Sequence, residues 1–349
     1  MANDTSIGLV EHPIAVLGAG SWGTALAYLL SAQAGHRVQL WARRLSLVES
    51  IQQSRRNVDY LPNVELPAGV HVTSDMHEAV SGARLIVFAT PSQAVRAVAR
   101  RLAGDLGPEH AVVSVAKGIE VSTLLTTSGV LRSVLEKVPK ERIGVLYGPS
   151  HAEEVGLGHP TTVVVAMPDL DLAEAIQNVF MTDTFRVYVN ADLIGVEIAG
   201  SVKNVMAIAC GISDGLGLGD NAKAALLTRG LAEIKRLGLA LGAVHGTFAG
   251  LAGLGDLVVT CFSSFSRNRY FGEQIGLGRT MEEVEAEMQM VAEGVKTAVS
   301  VRELAQEAGV EMPIVEAVHR ILFDHLPPKD AVFELMTRAA KREDAFSAV

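Results

Sequence analysis

The chain is poor in cysteine, short of positive charge and without any long uninterrupted apolar run, and each shortage closes off a class of protein. Its 349 residues include two cysteines, Cys210 and Cys261. Two thiols cannot build a disulfide framework, and neither has a second Cys or a His at zinc-ligand spacing, so a reducing, cytoplasmic compartment and no metal are expected. Thirty Lys and Arg stand against 39 Asp and Glu, a net charge of −9. That field does not favour nucleic acid or an anionic membrane surface, so an anionic ligand must be held by a local basic cluster. No run of about 18 apolar residues occurs, and residues 1–13 lack a basic segment followed by an apolar one, so neither membrane insertion nor a leader is expected.

What the chain does have is 49% hydrophobic residues, enough at this length for two cores. Ile14 to Leu17 reads as a buried parallel strand that stops on Gly18, Gly20 and Gly23 in the pattern G-x-G-x-x-G before a helical stretch. In a dinucleotide site Gly18 makes the turn, Gly20 leaves room for a pyrophosphate and Gly23 lets the helix pack close. The helix N-terminus then presents N–H groups to the anion. His36 to Trp41 reads as the next strand; where a NAD-selective site carries an acid for the ribose 2′-hydroxyl, this chain has Arg43 and Arg44. Two guanidiniums suit a 2′-phosphate, and otherwise they are a solvated basic turn. Apolar strands at Leu85–Ala89, Ala111–Ala116 and Ile143–Leu146 follow, with Thr162–Ala166 and Phe185–Val189 as edge strands. Lys117 ends the strand Ala111–Ala116, where this fold places ligand contacts, although a lone lysine there is often only a solvated terminus.

After Asn190 strand-like runs largely vanish. The expected architecture is α/β: a Rossmann-type doubly wound sheet over residues 1–190, then a mainly α-helical domain over 191–349. In Gly195 to Ala209 the polar Lys203 and Asn204 sit among Val202, Val205 and Met206. A lysine buried there has its pKa lowered toward proton transfer, unless it snorkels to solvent. Asp256 follows a glycine-rich bend, and Ser263 to Gly272 (SSFSRNRYFG) gathers hydroxyls, an amide and guanidiniums at a helix start, a plausible phosphate clamp. Val291 to Gly294 reads as a turn, Glu282 to Glu287 as a solvated helix face and the tail after Lys341 as frayed.

The segments GAGSWGTALA, AKGIE, YGPSHAEE, GVEIAGSVKNVMAIACGISDGLGLGDNAKAALLTRGLAEI, LAGLGDLVVTC, SRNRYFG and VAEGV occur in this order. In this the chain resembles, from Ile14 to about Leu335, the bacterial-type NAD(P)-dependent glycerol-3-phosphate dehydrogenases. The resemblance implies reversible reduction of dihydroxyacetone phosphate, a small phosphorylated three-carbon substrate, to sn-glycerol 3-phosphate for phospholipid synthesis. It implies Lys203 as general acid/base, with Asp256 and Lys117 beside it. Substrate contacts fall on Lys117, Gly148, Ser150, Lys203, Asn204, Asp256, Thr260, Ser266, Arg267 and Asn268. Cofactor positions fall on Gly18, Gly20, Ser21, Trp22, Gly23, Arg43, Arg44, Lys117, Ala152, Arg267, Val291 and Glu293, for NADP(H) or NAD(H). By analogy the enzyme is a homodimer. Departures are about ten extra N-terminal residues, the tail after Lys341, and Phe262 where a small polar residue is common. Two alternatives are a 6-phosphogluconate or hydroxyacyl-CoA type dehydrogenase, and a dinucleotide-sensing module without turnover. The first lacks an obvious use for the compact SRNRYFG clamp, and the second would have no need of Lys117, Lys203 and Asp256.

Overall fold

The structure is a computed structural model describing residues 8–288, 291–340 and 342. The expectation for the tail after Lys341 therefore lies outside the described residues, Arg342 excepted, as do the first seven positions of the N-terminal extension. The chain divides into two compact units, one of Met1–Ala116 with Thr127–Leu193, the other of Lys117–Thr126 with Ile194–Val349.

The first unit is built on ten strands: β1 Ile14–Leu17, β2 Val38–Trp41, β3 Arg56–Asn57, β4 Leu61–Glu65, β5 Val70–Thr73, β6 Leu85–Phe88, β7 Ala111–Ser114, β8 Ile143–Tyr147, β9 Thr161–Ala166 and β10 Phe185–Asn190. Eight form one sheet in the order β10-β9-β8-β7-β6-β1-β2-β5, while β3 and β4 make a separate hairpin. The branched apolar runs suit strands covered on both faces: β1, β6 and β7 are buried at every residue. Each large side chain so buried is worth about 1.5–3 kcal/mol. Chain order runs outward from β1 to β2 and β5, then returns to β6 on the other side of β1, so the strand order reverses between β1 and β6. Ligands in such sheets bind at that reversal, beyond the carboxyl ends of the strands. The expected edge strands are β9 and β10; β10 is at the edge, and β9 pairs antiparallel to β8, a direction that an apolar run does not encode.

The second unit is helical. Its central helix, Leu193–Gly215, is longer than Gly195–Ala209 predicts and is long and apolar enough by composition to cross a membrane. It serves instead as a core element, with 94% of its most apolar window buried inside the protein. Around it lie Asp220–Ala240, Asp256–Phe262, Arg267–Gly276 and Glu293–Glu307. With Ser21–Tyr28 of the first unit as α1, these five in chain order are α2 to α6. The acidic run forms the helix Met281–Glu287, closed by a reciprocal Thr280–Glu283 cap, with its glutamates exposed as expected.

Candidate active site

In the first unit the glycine loop joins β1 to α1 at the strand reversal. A Cβ on Gly18 would overlap the Ala89 carbonyl at the end of β6, and one on Gly23 would overlap the Gly18 carbonyl oxygen. Protein packing thus accounts for two of the three glycines. Gly20 is different, because no atom of the described residues lies within 4 Å of where its Cβ would stand. It also caps α1 without a side-chain hydrogen bond. An open cradle at a helix N-terminus fits a pyrophosphate. Ser21 donates its hydroxyl to the Tyr60 carbonyl at 2.8 Å, and Trp22 is half-buried beside it. Beyond β2, Arg43 and Arg44 are exposed, and Arg44 pairs with Asp59 at 2.8 Å. Ser150 bonds the Gly148 carbonyl at 3.2 Å, and Ala152 opens a short buried helix.

In the second unit α2, α4 and the strap Lys117–Thr126 converge. Lys203 on α2 donates to Asp256 Oδ1 and, at 2.6 Å, to Thr260 Oγ1. Lys117 donates to Asp256 Oδ2 at 2.8 Å. Thr260 returns its own proton to the Asp256 carbonyl at 2.6 Å, so its oxygen is aimed to accept from Lys203. Asp256, first residue of α4, is 1% exposed and Lys203 is 5% exposed. An ammonium has three N–H donors, and these two bonds leave one of them for a ligand oxygen. Burial pulls the Lys203 ammonium down to about 8, an effect that Asp256 opposes and Lys117 reinforces.

A second chain of amides lies on the same unit. The Gly294 N–H donates to Asn268 Oδ1 at 2.9 Å, and Asn268 Nδ2 donates to Asn204 Oδ1 at 3.0 Å. The order orients Asn204 with its NH₂ still able to donate. Ser266 caps α5, accepting from the Arg269 N–H at 3.2 Å, and Arg267 donates to the Val291 carbonyl at 3.3 Å. Glu293, expected in a turn, is instead the first residue of α6, because Ala292 takes the cap position and the helix starts one residue later. Asp256 likewise follows a π-helical turn, Leu251–Gly255, rather than an irregular bend.

Both halves of the sequence match models of one family. Residues 13–173 match the N-terminal and residues 192–333 the C-terminal model of NAD-dependent glycerol-3-phosphate dehydrogenase. The chain belongs to this family. It is 59% identical over 330 residues to a glycerol-3-phosphate dehydrogenase [NAD(P)+] of Salinibacter ruber, spanning 95% of this chain and 96% of that protein. The Prosthecochloris aestuarii glycerol-3-phosphate dehydrogenase [NAD(P)+] is 53% identical over 95% of this chain and 99% of its own. The crystal structure of glycerol-3-phosphate dehydrogenase from Coxiella burnetii superposes with a TM-score of 0.90 at 41% identity, covering 94% of this chain and 99% of that one. The resemblance carried by the motifs is thereby borne out, as is the fold class, and the chain is an NAD(P)-dependent oxidoreductase of the glycerol-3-phosphate dehydrogenase family.

Three features that brace these segments are not predicted by the sequence. Buried Asn57, in the hairpin, donates to the Ala19 carbonyl at 2.9 Å and to Thr24 Oγ1 at 2.8 Å, bracing the glycine loop from a segment 33 or more residues away. The strap carrying Lys117 is tied down by Ser300 Oγ to the Ile119 carbonyl at 3.0 Å and by Thr126 Oγ1 to Glu197 at 2.9 Å. The third is a glycine contact that brings the backbones of α2 and α5 together.

Proposed function

We propose that the chain catalyses the reversible NAD(P)H-dependent reduction of dihydroxyacetone phosphate to sn-glycerol 3-phosphate, with Lys203 as general acid/base. The observation that carries this is the buried Lys203 ammonium held between Asp256 and Thr260 with one donor to spare. Reduction turns the C2 carbonyl oxygen into an alkoxide; Lys203 stabilises that charge and gives it a proton, and in the oxidative direction takes it back. Asp256 fixes the direction of the Lys203 ammonium and keeps enough of it protonated at neutral pH, while Lys117 adds a second cation. Asn204 and Thr260 line the same centre, and Ser266, Arg267 and Asn268 clamp the phosphate, with Gly148 and Ser150 as further substrate contacts.

NADPH or NADH, when bound, supplies the hydride. The residues that would hold it are Gly18, Gly20, Ser21, Trp22, Gly23, Arg43, Arg44, Lys117, Ala152, Arg267, Val291 and Glu293; the open space over Gly20 supports this reading. The product serves glycerophospholipid synthesis. A cytoplasmic homodimer completes the proposal; the two free, buried cysteines agree with a reducing compartment. Nicotinamide absorbance loss in the presence of dihydroxyacetone phosphate tests the reaction, and a folded enzyme giving no turnover overturns it.

Two further outcomes follow from the chemistry. Replacing both Arg43 and Arg44 by alanine raises KM for NADPH about 10- to 100-fold and leaves KM for NADH nearly unchanged, since lost charge-assisted bonds to the 2′-phosphate cost about 1.5–3 kcal/mol. Equal effects on the two cofactors would remove the 2′-phosphate role. The pH dependence has a sign for each direction. Reduction needs protonated Lys203, so its kcat falls as pH rises through about 8; oxidation needs the neutral amine, so its kcat rises through the same region. Parallel pH profiles for the two directions would contradict the assignment.

A further inference from the structure

Helix α5 lies along α2 in a fixed register. Asn268 meets Asn204, Gly272 meets Ile208 and Gly276 meets Ile212, each pair separated by the same number of residues along the chain. The approach is backbone to backbone. A Cβ on Gly211 would overlap the Arg269 carbonyl and one on Gly215 the Glu273 carbonyl, while Cβ atoms on Gly272 and Gly276 would overlap the Ile208 and Ile212 carbonyls. Helices are normally held against sliding by side-chain ridges seated in grooves. Four glycines remove those ridges from this contact, so close approach is secured and register must be secured by other groups.

Asp214, in the last turn of α2, supplies one. It forms ion pairs with Arg269 Nε on α5, at 2.9 Å but outside hydrogen-bond geometry, so that charge rather than a directed bond holds the two, and with Lys223 Nζ on α3 at 2.5 Å. Arg269 is itself fixed at the start of α5: its N–H is held by Ser266, and its guanidinium also reaches Glu273 at 3.3 Å. Lys223 stands over the ring of Phe262, 5.1 Å from its centroid. Phe262 ends α4, the helix that begins with Asp256. Phe262 thus borders a cluster in which one carboxylate ties α3 and α5 to the helix bearing Lys203.

We propose that Asp214 is a positioning residue for substrate binding: its ion pair with Arg269 sets the register of α5 on α2 and so holds Ser266, Arg267 and Asn268 in place for the substrate phosphate. This rests on the phosphate clamp proposed above. Asp214 touches neither Lys203 nor Asp256 among the ion pairs and hydrogen bonds of the cluster, so its loss moves binding rather than chemistry.

The test is steady-state kinetics of the full-length Asp214→Asn enzyme, with inorganic phosphate as a competing anion. KM for dihydroxyacetone phosphate and the inhibition constant of inorganic phosphate each rise about tenfold, kcat stays within twofold, KM for NADPH is unchanged, and the break in kcat near pH 8 does not move. Arg269→Gln gives the same pattern, the double variant is no worse than either single one, and Asp214→Glu recovers part of the loss. A folded Asp214→Asn enzyme with unchanged substrate KM and phosphate inhibition overturns the proposal. So does additivity of the two substitutions, or a fall in kcat with a moved pH break, which would mean general loosening around Lys203. If Asp214→Asn does not fold, Asp214→Glu and Arg269→Lys decide by the same readouts. A parent enzyme without turnover on dihydroxyacetone phosphate defeats the functional reading instead, and phosphate binding measured directly still tests the latch.

Discussion

Replacing Lys203 by alanine lowers kcat for reduction of dihydroxyacetone phosphate about a thousandfold, with binding of NADPH unchanged. The size follows from two effects removed together. A positioned general acid contributes about 10²–10⁴-fold, and a preorganised donor at a developing oxyanion about 10²–10³-fold, with the two overlapping when one group does both. Thr260 and Asp256 cannot replace it. The threonine hydrogen is committed to the Asp256 carbonyl, and an ionised carboxylate has no proton to give. Lys117 keeps its bond to Asp256 and supplies residual electrostatic help, which is why activity falls steeply without vanishing. Arginine at 203 does not restore the rate, because a guanidinium does not release its proton in this range.

Replacing Asp256 by alanine has the other large effect, on stability as well as rate. Two buried or half-buried ammoniums share that carboxylate, and removing one partner of a buried ion pair costs about 3–5 kcal/mol. The carboxylate also holds the Lys203 pKa up against burial, while Lys117 pushes it down. Without Asp256 the two downward influences, burial and Lys117, are opposed only by Cys261, so the break in the reductive kcat profile moves below about 8 and less of the lysine is protonated at pH 7. We expect kcat at pH 7 to fall at least about 100-fold, in line with losing the general acid. Thermal unfolding shifts down by several degrees, at roughly 2–4 °C per kcal/mol for domains of this size. An Asp256→Ala enzyme with unmoved pH break and unmoved unfolding temperature would show that the carboxylate neither orients nor charges Lys203.

How much of this was legible in the sequence depends on range. The strand Ile14–Leu17, the glycine turn and the following helix are local, and β6 and β7 begin where the apolar runs Leu85–Ala89 and Ala111–Ala116 place them. SRNRYFG was legible for the same reason: Ser266 caps the helix it begins. Partnerships across the chain are not legible from pattern or spacing, and only the family resemblance places Asp256 and Lys117 beside Lys203. Asp256 lies 53 residues from Lys203 and 139 from Lys117, and no periodicity states that one carboxylate serves both. The attachment of Lys117–Thr126 to the helical unit rests on Ser300, 181 residues beyond Ile119. At Glu293 the sequence VAEG signals a turn through its glycine, while the backbone begins a helix. The paired glycines, Gly211 with Gly215 and Gly272 with Gly276, were visible as four-residue spacings, yet only the packed helices give them meaning.

Whether Lys203 transfers the proton is decided by single-turnover oxidation of bound NADPH by dihydroxyacetone phosphate in the Lys203→Ala enzyme. With Lys203 as the proton donor, the rate is about a thousandth of the parent's at saturating substrate, with an unchanged dissociation constant for NADPH. A rate within tenfold of the parent's would contradict that role.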